Sequence, residues 1–535
     1  MPHVRTALCS LVLLALAAGS AHAQDTLNGH PVKLDAQGKL ISWVQPQDQA
    51  YSRVIRLAWD FLLNKVPVEP NGLKTFYTYC CIDPKNMHGT GWPHNPAGLN
   101  AMLVDSVTAY YAFSGDHAPV DLVRSTVDYQ LAHGTTPKGW AWPQVPYASS
   151  NFAALEYRGA DSTLYTDQQG VGDGYGYIEP DKVGELGLAY LKLYEMTGDE
   201  VYREAALACA DALAHHVREG DAEHSPWPFR VNAENNVIRE EYSSNAIGPI
   251  KLFDELMRQK LGHQEAYRKA RETAWAWLMK YPMENNAWSG YFEDVYTFSK
   301  PINFNQYSSL ETARYILQHP EYDPNWKKHV PGLLEWVEKT LIFVDVKNEP
   351  GVQWGANAVS EQRVADMNKM GSHTSRYASL NAMWYEASGD EAAKERAYRS
   401  FNWASYMCGE DGLVKVGPLD QSLWFSDGYG DYIRHFMAGM GAVPEWAPAG
   451  ESHLLRSTSI VQYVRYEQTS ISYATFDQDG TEVLRLAFTP RQVLGDGKPL
   501  PASAGPAESG WTFDAKSGVL RILRNMARTV QITAN

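Results

Sequence analysis

One short segment recurs three times in the chain, as Tyr110-Tyr111-Ala112-Phe113-Ser114-Gly115-Asp116, Leu193-Tyr194-Glu195-Met196-Thr197-Gly198-Asp199 and Trp384-Tyr385-Glu386-Ala387-Ser388-Gly389-Asp390. Each copy separates two stretches in which apolar residues follow helical spacing. The Gly suits the left-handed position that ends a helix, and the Asp can cap the helix that follows. The repeat therefore predicts a series of helical hairpins.

Recurring helical hairpins are typical of an α/α solenoid or a closed α/α toroid, because one hairpin cannot bury its own apolar face. The composition changes near residue 455, where short alternating apolar runs are separated by turns such as Asp479-Gly480. We predict a mainly α protein in which residues 24–450 form an α/α toroid. Residues 455–535 are predicted to form an antiparallel β-sandwich domain.

The N-terminal residues predict export. Arg5 precedes an apolar run from Ala7 to Ala18, and Ala21-His22-Ala23 provides a small-residue cleavage pattern. Residues 1–23 are therefore interpreted as a signal peptide, which makes the mature protein periplasmic or secreted. The apolar run is too short to span a bilayer comfortably, so we expect no membrane insertion after the signal is removed.

The chain carries a formal net charge of −15, which argues against a nucleic-acid partner. It contains 17 Trp and 31 Tyr, many of them in long Gly- and Pro-rich stretches between helices. Aromatic rings stack on the C–H faces of sugars, whose hydroxyls need polar neighbours. We therefore predict a carbohydrate ligand, with Trp142 and Trp227 among the residues that bind it. Alternatively, these aromatic residues pack between the hairpins.

This layout resembles the α/α-toroid polysaccharide lyases that act on uronans, of the glucuronan or cellouronate and alginate lyase types. The resemblance implies cleavage of β-1,4-linked uronic-acid polymers by β-elimination, so the expected partner is an acidic polysaccharide. Such a reaction needs groups that neutralise the uronate carboxylate, remove the C5 proton and protonate the departing O4. The resemblance implies Asn, His, Arg, Glu and Tyr side chains in these roles.

The first candidate segment is Arg239-Glu240-Glu241-Tyr242-Ser243-Ser244-Asn245, just before a helical run. A helix N-terminus offers free N–H groups and a positive dipole end, which suit a carboxylate. Asn245 is a candidate catalytic residue that donates to the carboxylate, and Glu241 and Tyr242 are candidate substrate-binding residues. Alternatively, Ser244 or Asn245 only caps the helix.

The second candidate segment is Asn303-Phe304-Asn305-Gln306-Tyr307-Ser308-Ser309, before a helix predicted to begin near Leu310. Tyr307 is our first candidate for the catalytic phenol that transfers protons. Asn303 is a candidate substrate-binding residue. The alternative is that Tyr307 is a buried tyrosine with a satisfied hydroxyl.

The third candidate segment is Gly371-Ser372-His373-Thr374-Ser375-Arg376-Tyr377, which opens the helix that ends at Gly389. His373 and Arg376 are three residues apart and share one side of a helix. His373 is a candidate for neutralising the carboxylate or taking the proton, and Arg376 for anchoring the carboxylate through two hydrogen bonds. Tyr377 is a candidate substrate-binding residue. An ordinary surface histidine is the alternative for His373.

Two other functions stay open. A toroid glycoside hydrolase would use paired acids, for which the candidates are Asp173, Asp181, Asp427 and Asp431. Asp181 is alternatively the cap of the helix that follows it. A non-catalytic carbohydrate-binding protein would expose aromatic residues without a titratable cluster in a cleft.

No cofactor and no metal ion is predicted, because the chain has no phosphate-binding glycine loop and no histidine pair with diagnostic metal spacing. Four cysteines remain after the signal peptide, and their spacing suits neither a zinc site nor a disulfide framework. We expect them to be buried free thiols; they are Cys80, Cys81, Cys209 and Cys408. The sequence does not indicate an oligomeric state.

Overall fold

The computed structural model describes residues 25–69, 72–74, 79–82, 85, 89–93, 95–148, 176–242, 245–288, 304–343, 354–363, 367–418, 424–425, 427–502 and 509–534. Within these ranges the chain forms twelve α-helices between Ala50 and Ala442. They are α1 (Ala50–Asn64), α2 (Pro96–Ser114), α3 (Ala118–His133), α4 (Pro180–Thr197), α5 (Glu200–His216), α6 (Ile247–Arg258), α7 (Gln264–Leu278), α8 (Tyr307–Gln318), α9 (Trp326–Val337), α10 (Gly371–Ser388), α11 (Glu391–Ser405) and α12 (Asp427–Ala442).

The even-numbered helices form a closed inner ring. Each packs on the next even-numbered helix, and α12 returns to pack on α2. The odd-numbered helices lie outside them, so the chain alternates between the two layers. This arrangement is an α/α toroid, and the fold class predicted from the sequence is confirmed.

The repeated Gly-Asp segments end the helices as predicted. Gly115, Gly198 and Gly389 follow α2, α4 and α10 with φ of 71°, 79° and 76°, the left-handed region that favours glycine. Asp390 caps α11 by accepting from the backbone N–H groups of residues 392 and 393. The cap predicted for Asp199 is wrong, because its carboxylate instead accepts a hydrogen bond from Arg124 at 2.6 Å.

The C-terminal strands form two antiparallel sheets, ordered β11-β14-β18-β17 and β12-β13-β19-β15-β16. Apolar side chains such as Ile471, Leu484 and Ile532 are fully buried, as a two-layer sandwich requires. The strands are β11 (His453–Ser457), β12 (Val461–Glu467), β13 (Ser470–Thr475), β14 (Gly480–Arg485), β15 (Pro490–Gly495), β16 (Lys498–Pro499), β17 (Gly510–Asp514), β18 (Val519–Arg524) and β19 (Thr529–Ala534).

In the described residues before the sandwich, ten short strands form small antiparallel pairs and ribbons. The ribbon of β7, β8 and β9 lies in the connections before α4 and α6. The ten strands are β1 (Thr26–Leu27), β2 (His30–Pro31), β3 (Lys33–Leu34), β4 (Leu40–Ile41), β5 (Tyr79–Ile82), β6 (Gly89–Pro93), β7 (Tyr177–Ile178), β8 (Arg230–Asn232), β9 (Ile238–Glu240) and β10 (Trp424–Phe425).

The sandwich contacts the C-terminal ends of inner helices. The Tyr466 hydroxyl donates to the carbonyl of Ala112 near the end of α2. The Gln462 amide donates to the carbonyl of Glu195 near the end of α4, at 2.7 Å. Carbonyl groups in the last turn of a helix lack intrahelical partners. Here the sandwich donates hydrogen bonds to two such carbonyl groups. The sandwich thus lies at the end of the toroid where the inner helices end. The N-terminal ends of the inner helices lie at the opposite end.

Cys209 and Cys408 are buried free thiols, as predicted, and burial raises the pKa of both. The side chains of Cys80 and Cys81, and the predicted signal peptide at residues 1–23, lie outside the part that the structure describes. Among the helices described, none is both long and apolar enough to span a bilayer.

Close packing of α4 on α6 depends on glycine. A Cβ atom on Gly184 would collide with the backbone of Pro249, and the nearest atoms belong to the neighbouring helix rather than to a flexible side-chain end. We expect Gly184→Ala to lower the free energy of unfolding by about 1–3 kcal/mol or more, because an overpacked core must shift its backbone. Thermal or denaturant unfolding measures this change.

The matched control is Gly332→Ala in α9, where a Cβ atom would meet nothing within 4 Å. Alanine is the better helix former there by up to about 1 kcal/mol, so we expect this variant to be as stable as the parent protein or more stable. Equal stability of the two variants would contradict the packing argument.

Candidate active site

The N-terminal ends of the inner helices lie at the same end of the toroid. Because every outer helix returns the chain, the six inner helices run in one direction. Their first two turns reach one another: Tyr307 of α8 contacts Glu185 of α4, and Arg376 of α10 contacts Asp431 of α12. Helix N-termini carry free N–H groups and partial positive charge, so this end of the toroid favours an anion.

Five polar side chains at this end form one group joined by hydrogen bonds and ion pairs, which we call the Tyr307 cluster. The Tyr307 hydroxyl donates to Oε1 of Glu185 at 2.7 Å. Nδ2 of Asn245 donates to the same Oε1 at 3.2 Å and to Oδ2 of Asp181 at 3.3 Å. Nζ of Lys182 lies 3.7 Å from the carboxylate of Asp181 and 3.6 Å from that of Glu185. The cluster joins α4, α8 and the segment before α6.

Three members of the Tyr307 cluster lie on α4, and the local sequence explains their positions. Pro180 occupies the first helical position, and Asp181 and Glu185, four residues apart, share one face. The predicted cap at Asp181 is wrong, since α4 has no side-chain cap and Asp181 instead accepts from Asn245. Lys182 reaches the same space because its stem passes Gly98 of α2, where a Cβ atom would lie 3.1 Å from Cδ of Lys182.

Asn245 does not cap α6. That helix begins at Ile247, with Ala246 at the N-cap and no side-chain cap. The Asn245 amide reaches across to Asp181 and Glu185 instead. The capping alternative is therefore wrong for Asn245, whereas Ser244 lies outside the described residues.

Tyr307 begins α8, three residues earlier than predicted. Oδ1 of Asn305 accepts from the backbone N–H of Tyr307 at 2.8 Å, which supplies one of the partners that a helix start needs. The ring of Tyr307 lies between two cations, with Cζ of Arg376 at 4.2 Å and Nζ of Lys182 at 5.0 Å from its centroid. Burial, reinforced by the negative charge of Glu185, raises the pKa of Tyr307 well above 10.0. The phenol is therefore protonated at neutral pH.

Arg376 is held by protein partners on three sides. Its Nη2 donates to Oδ1 of Asp431 at 2.5 Å, its Nη1 to Oε1 of Gln306 at 3.2 Å, and its Nε to Nε2 of His435 at 3.2 Å. All four side chains are buried. The two-pronged anchoring of a substrate carboxylate predicted for Arg376 would require it to exchange these partners.

Asp431 is ionised in this environment. Burial alone would raise its pKa, but the guanidinium groups of Arg376 and Arg434 outweigh burial and hold the pKa well below 3.8. Burial lowers the pKa of His435 to about 3, so its imidazole is neutral. The Arg376 network thus combines fixed charges with a neutral histidine.

His373 lies in the first turn of α10, as predicted, and is 7% exposed. It precedes Arg376 by three residues, so both side chains lie on one side of the helix. Its catalytic role stays a prediction.

Trp227 and Trp142 differ in their surroundings. Trp227 lines a small cavity together with Asp181 and Asn245, which places it beside the Tyr307 cluster. Trp142 is fully buried, and its ring stacks on His216 with 4.1 Å between the ring centroids. For Trp142 the structure therefore shows the packing alternative, with no ring face open to a sugar.

Three further predicted binding residues have partners outside the Tyr307 cluster. Glu241 accepts from Arg218 at 2.5 Å, and the Tyr242 hydroxyl donates to the carbonyl of Ala287 at 3.0 Å. The buried Tyr377 donates to Glu338 and lies on α10. Asn303 falls outside the described residues, as do Asp173 and the side chain of Asp427.

Sequence reasoning missed Glu185, Lys182 and Gln306 as site residues. The four-residue spacing of Asp181 and Glu185 directly after a helix-starting Pro180 was a usable signal. No comparable signal marked Gln306, because its partner lies 70 residues away. Within the described ranges, no group of three or more His, Cys, Asp or Glu side chains is arranged to hold a metal ion.

Comparisons with known proteins identify the fold. No protein-family model and no curated protein sequence matches the chain. Among solved structures, a cellobiose 2-epimerase from Spirochaeta thermophila aligns with a TM-score of 0.51 and 10% identity, over 75% of this chain and 99% of its own. A cellobiose 2-epimerase from Bacillus thermoamylovorans aligns with a TM-score of 0.51 and 11% identity, over 73% and 98%.

A D-mannose isomerase aligns with a TM-score of 0.51 and 10% identity, over 74% of this chain and 99% of its own. At this level of identity the comparisons establish the toroid fold alone.

The buried pair of Arg376 and Asp431 leads to a prediction on stability. Asp431→Asn removes the buried carboxylate that Arg376 and Arg434 share, so we expect a loss of about 3–5 kcal/mol at neutral pH. Because the folded-state pKa of Asp431 is lowered, its contribution is complete above pH 3.8 and disappears as the pH falls below that value. Thermal unfolding of both proteins between pH 3 and pH 7 tests this expectation.

The stability difference between parent and variant should be constant near neutral pH and shrink in acid. Asp60→Asn on the exposed face of α1 is the control and should change stability little at any pH. A difference for Asp431→Asn that stays the same down to pH 3 would rule out the ion pair as its cause.

Proposed function

We propose that this protein is a carbohydrate-active enzyme, specifically a polysaccharide lyase that cleaves a β-1,4-linked uronan by β-elimination. The observation that carries the proposal is the 2.7 Å hydrogen bond from Tyr307 to Glu185, with Lys182 and Asn245 beside it. The solved structures that share the fold are named for enzymes that act on cellobiose and on D-mannose, which supports a sugar substrate.

The Tyr307–Glu185 pair can complete a proton cycle. Glu185 takes the C5 proton, the C5 electron pair forms the C4–C5 double bond, and the C4–O4 bond breaks. Tyr307, which its raised pKa keeps protonated, gives its proton to O4. The proton on Glu185 then passes to the Tyr307 phenolate along their hydrogen bond, and both groups return to their starting state.

The other members of the cluster support these two groups. Asn245 donates to Glu185 and Asp181 and so orients the base. Lys182 and the inner helix N-termini add positive charge where the substrate carboxylate gains negative charge as C5 loses its proton. His373 lies one turn before Arg376 and belongs to the same positive end of the toroid.

The position of the pair suggests which uronans are cleaved. The acid and the base are hydrogen-bonded neighbours, so they act on one face of the sugar ring. In β-1,4-linked glucuronate and mannuronate the C5 hydrogen and O4 lie on the same face, whereas in guluronate they lie on opposite faces. We therefore propose glucuronan or polymannuronate rather than polyguluronate as the substrate.

The acids that the structure describes do not favour a hydrolase. Hydrolysis needs two carboxyl groups on opposite sides of the scissile bond. Asp181 and Glu185 both accept from the one amide of Asn245, which places them on one side. Asp431 is ionised and paired with arginines, so it cannot serve as the general acid.

A secreted or periplasmic location completes the proposal, since polymeric uronans are met outside the cytoplasm. It is supported by the N-terminal sequence, whose basic residue, apolar run and small-residue site are typical of a signal peptide. Detection of the mature protein beginning at Gln24 in a periplasmic or culture fraction would test it.

The decisive experiment records absorbance near 235 nm and reducing ends together, with glucuronan, alginate blocks, pectate and neutral glucans as substrates. Elimination leaves an unsaturated sugar that absorbs at that wavelength, whereas hydrolysis produces reducing ends alone. We expect both signals with glucuronan or polymannuronate. Reducing ends without absorbance would replace the lyase by the hydrolase.

Removal of the Tyr307 hydroxyl should lower turnover strongly without unfolding the protein. We expect Tyr307→Phe to lower kcat by about 100- to 10,000-fold, because each acid–base role contributes that much. The ring and its contacts with Lys182 and Arg376 are kept, so Tm should change little.

The matched control is Tyr315→Phe on the same helix. Tyr315 also donates to a carboxylate, Oδ2 of Asp254 at 2.5 Å, but this pair joins α8 to α6 away from the Tyr307 cluster. This variant should lose stability and keep its kcat. Near-normal turnover in Tyr307→Phe would remove Tyr307 from the mechanism.

A further inference from the structure

The hydrogen bond from Arg376 fixes the orientation of the Gln306 amide. A guanidinium group has no acceptor, so the atom of Gln306 that lies 3.2 Å from Nη1 of Arg376 must be the oxygen. The NH2 group is therefore turned away from Arg376. Gln306 is fully buried, and its Nε2 has no hydrogen-bond partner among the residues that the structure describes.

Ser372 is in the same situation as Gln306. It is 2% exposed, and its Oγ likewise makes no hydrogen bond within the described structure. Ser372 precedes Arg376 by four residues on α10, so the two side chains are neighbours on one helix face. Two buried groups that can donate hydrogen bonds are thus close to Arg376: Gln306, which it contacts, and Ser372, one turn before it on α10.

Leaving such groups unpaired is costly. A buried polar group without a partner destabilises a protein because it loses its hydrogen bonds to water, and native proteins contain few such groups. Two of them beside one guanidinium group indicate a place that a ligand completes. Gln306 directly precedes Tyr307, whose ring contacts the same guanidinium, so this place adjoins the Tyr307 cluster.

We propose that Gln306 and Ser372 bind the carboxylate of the uronate unit whose C5 proton is removed, an inference that rests on the proposed function. An amide N–H and a hydroxyl both donate, and a carboxylate can accept from both at once. The neighbouring Arg376 adds positive charge without leaving Asp431. Arg376 is then a positioning residue that acts through Gln306, and Gln306 and Ser372 determine specificity for acidic sugars.

Two substitutions remove the donors and leave the fold intact. Gln306→Glu keeps an oxygen for Arg376 and gains an ion pair, but loses the N–H groups and repels a carboxylate. Ser372→Ala removes a hydroxyl that has no bonded partner, so it should not lower Tm. The control is Ser375→Ala, one turn along α10, whose hydroxyl donates to the carbonyl of Ser372 at 2.7 Å.

The probes are a glucuronan tetrasaccharide and cellotetraose, its uncharged counterpart. Dissociation constants are measured by calorimetry on the Tyr307→Phe protein carrying each substitution, and KM and kcat on otherwise unchanged protein. Hydrogen bonds to a charged group correspond to about a 10- to 100-fold change in affinity. We expect Ser372→Ala to weaken glucuronan binding about 10-fold and Gln306→Glu about 100-fold, with cellotetraose binding unchanged.

The controls separate this inference from the proposed reaction. Ser375→Ala should bind and cleave glucuronan like the parent. If Gln306 had only a structural role, its substitution would change Tm without changing the preference for the acidic sugar.

The measured affinities and the absorbance decide between the inference and the proposed reaction. If Gln306→Glu and Ser372→Ala catalyse elimination and bind glucuronan with parental affinity, the inference is overturned and the proposed lyase reaction is retained. If the two variants lose affinity as expected but the parent protein produces no absorbance at 235 nm, elimination is rejected and the carboxylate site is retained. If the protein does not bind glucuronan at all, the inference is overturned.

Discussion

The ion pair between Arg376 and Asp431 is the interaction around which the candidate site is built. A charge buried this deeply is stable only with a partner of opposite sign, so each residue fixes the other and thereby α10 against α12. The same guanidinium orients Gln306 at the start of α8 and lies against the ring of Tyr307. Three inner helices are therefore held in one arrangement, and Tyr307 faces Glu185 because of it.

The two ends of the toroid differ in their contacts and in their electrostatic potential. The sandwich binds carbonyl groups at the ends of α2 and α4, and Arg456 of β11 forms an ion pair with Glu386 near the end of α10. These contacts stabilise the C-terminal ends of the inner helices. The N-terminal ends of the inner helices lie at the other end, where their dipoles all add positive potential. The candidate site therefore lies at the end of the toroid that carries the positive potential.

The sequence predicted the local features and missed the distant ones. A glycine that ends a helix is recognisable because its φ must be positive, so the hairpins and the toroid could be predicted. Polar residues at helix starts led to Tyr307, Asn245 and Arg376, which the structure brings into adjoining networks. Glu185 lies 122 residues from Tyr307, and no local pattern reports such a pairing. Trp142 is packed on His216 although it lies between helices, because the composition of a connecting segment does not show which of its aromatic rings the fold covers.

An acidic protein can still bind an acidic polymer, because electrostatic interactions in salt solution are local. The net charge of −15 is spread over the whole chain, and at physiological ionic strength exposed charges are screened beyond about 8 Å. Within that range a bound uronate would meet Lys182, Arg376 and the helix N-termini. The acids of the two networks, Asp181, Glu185 and Asp431, each lie beside a cation. The local field thus attracts a carboxylate, while the negative surface elsewhere weakens non-specific adhesion of the polymer.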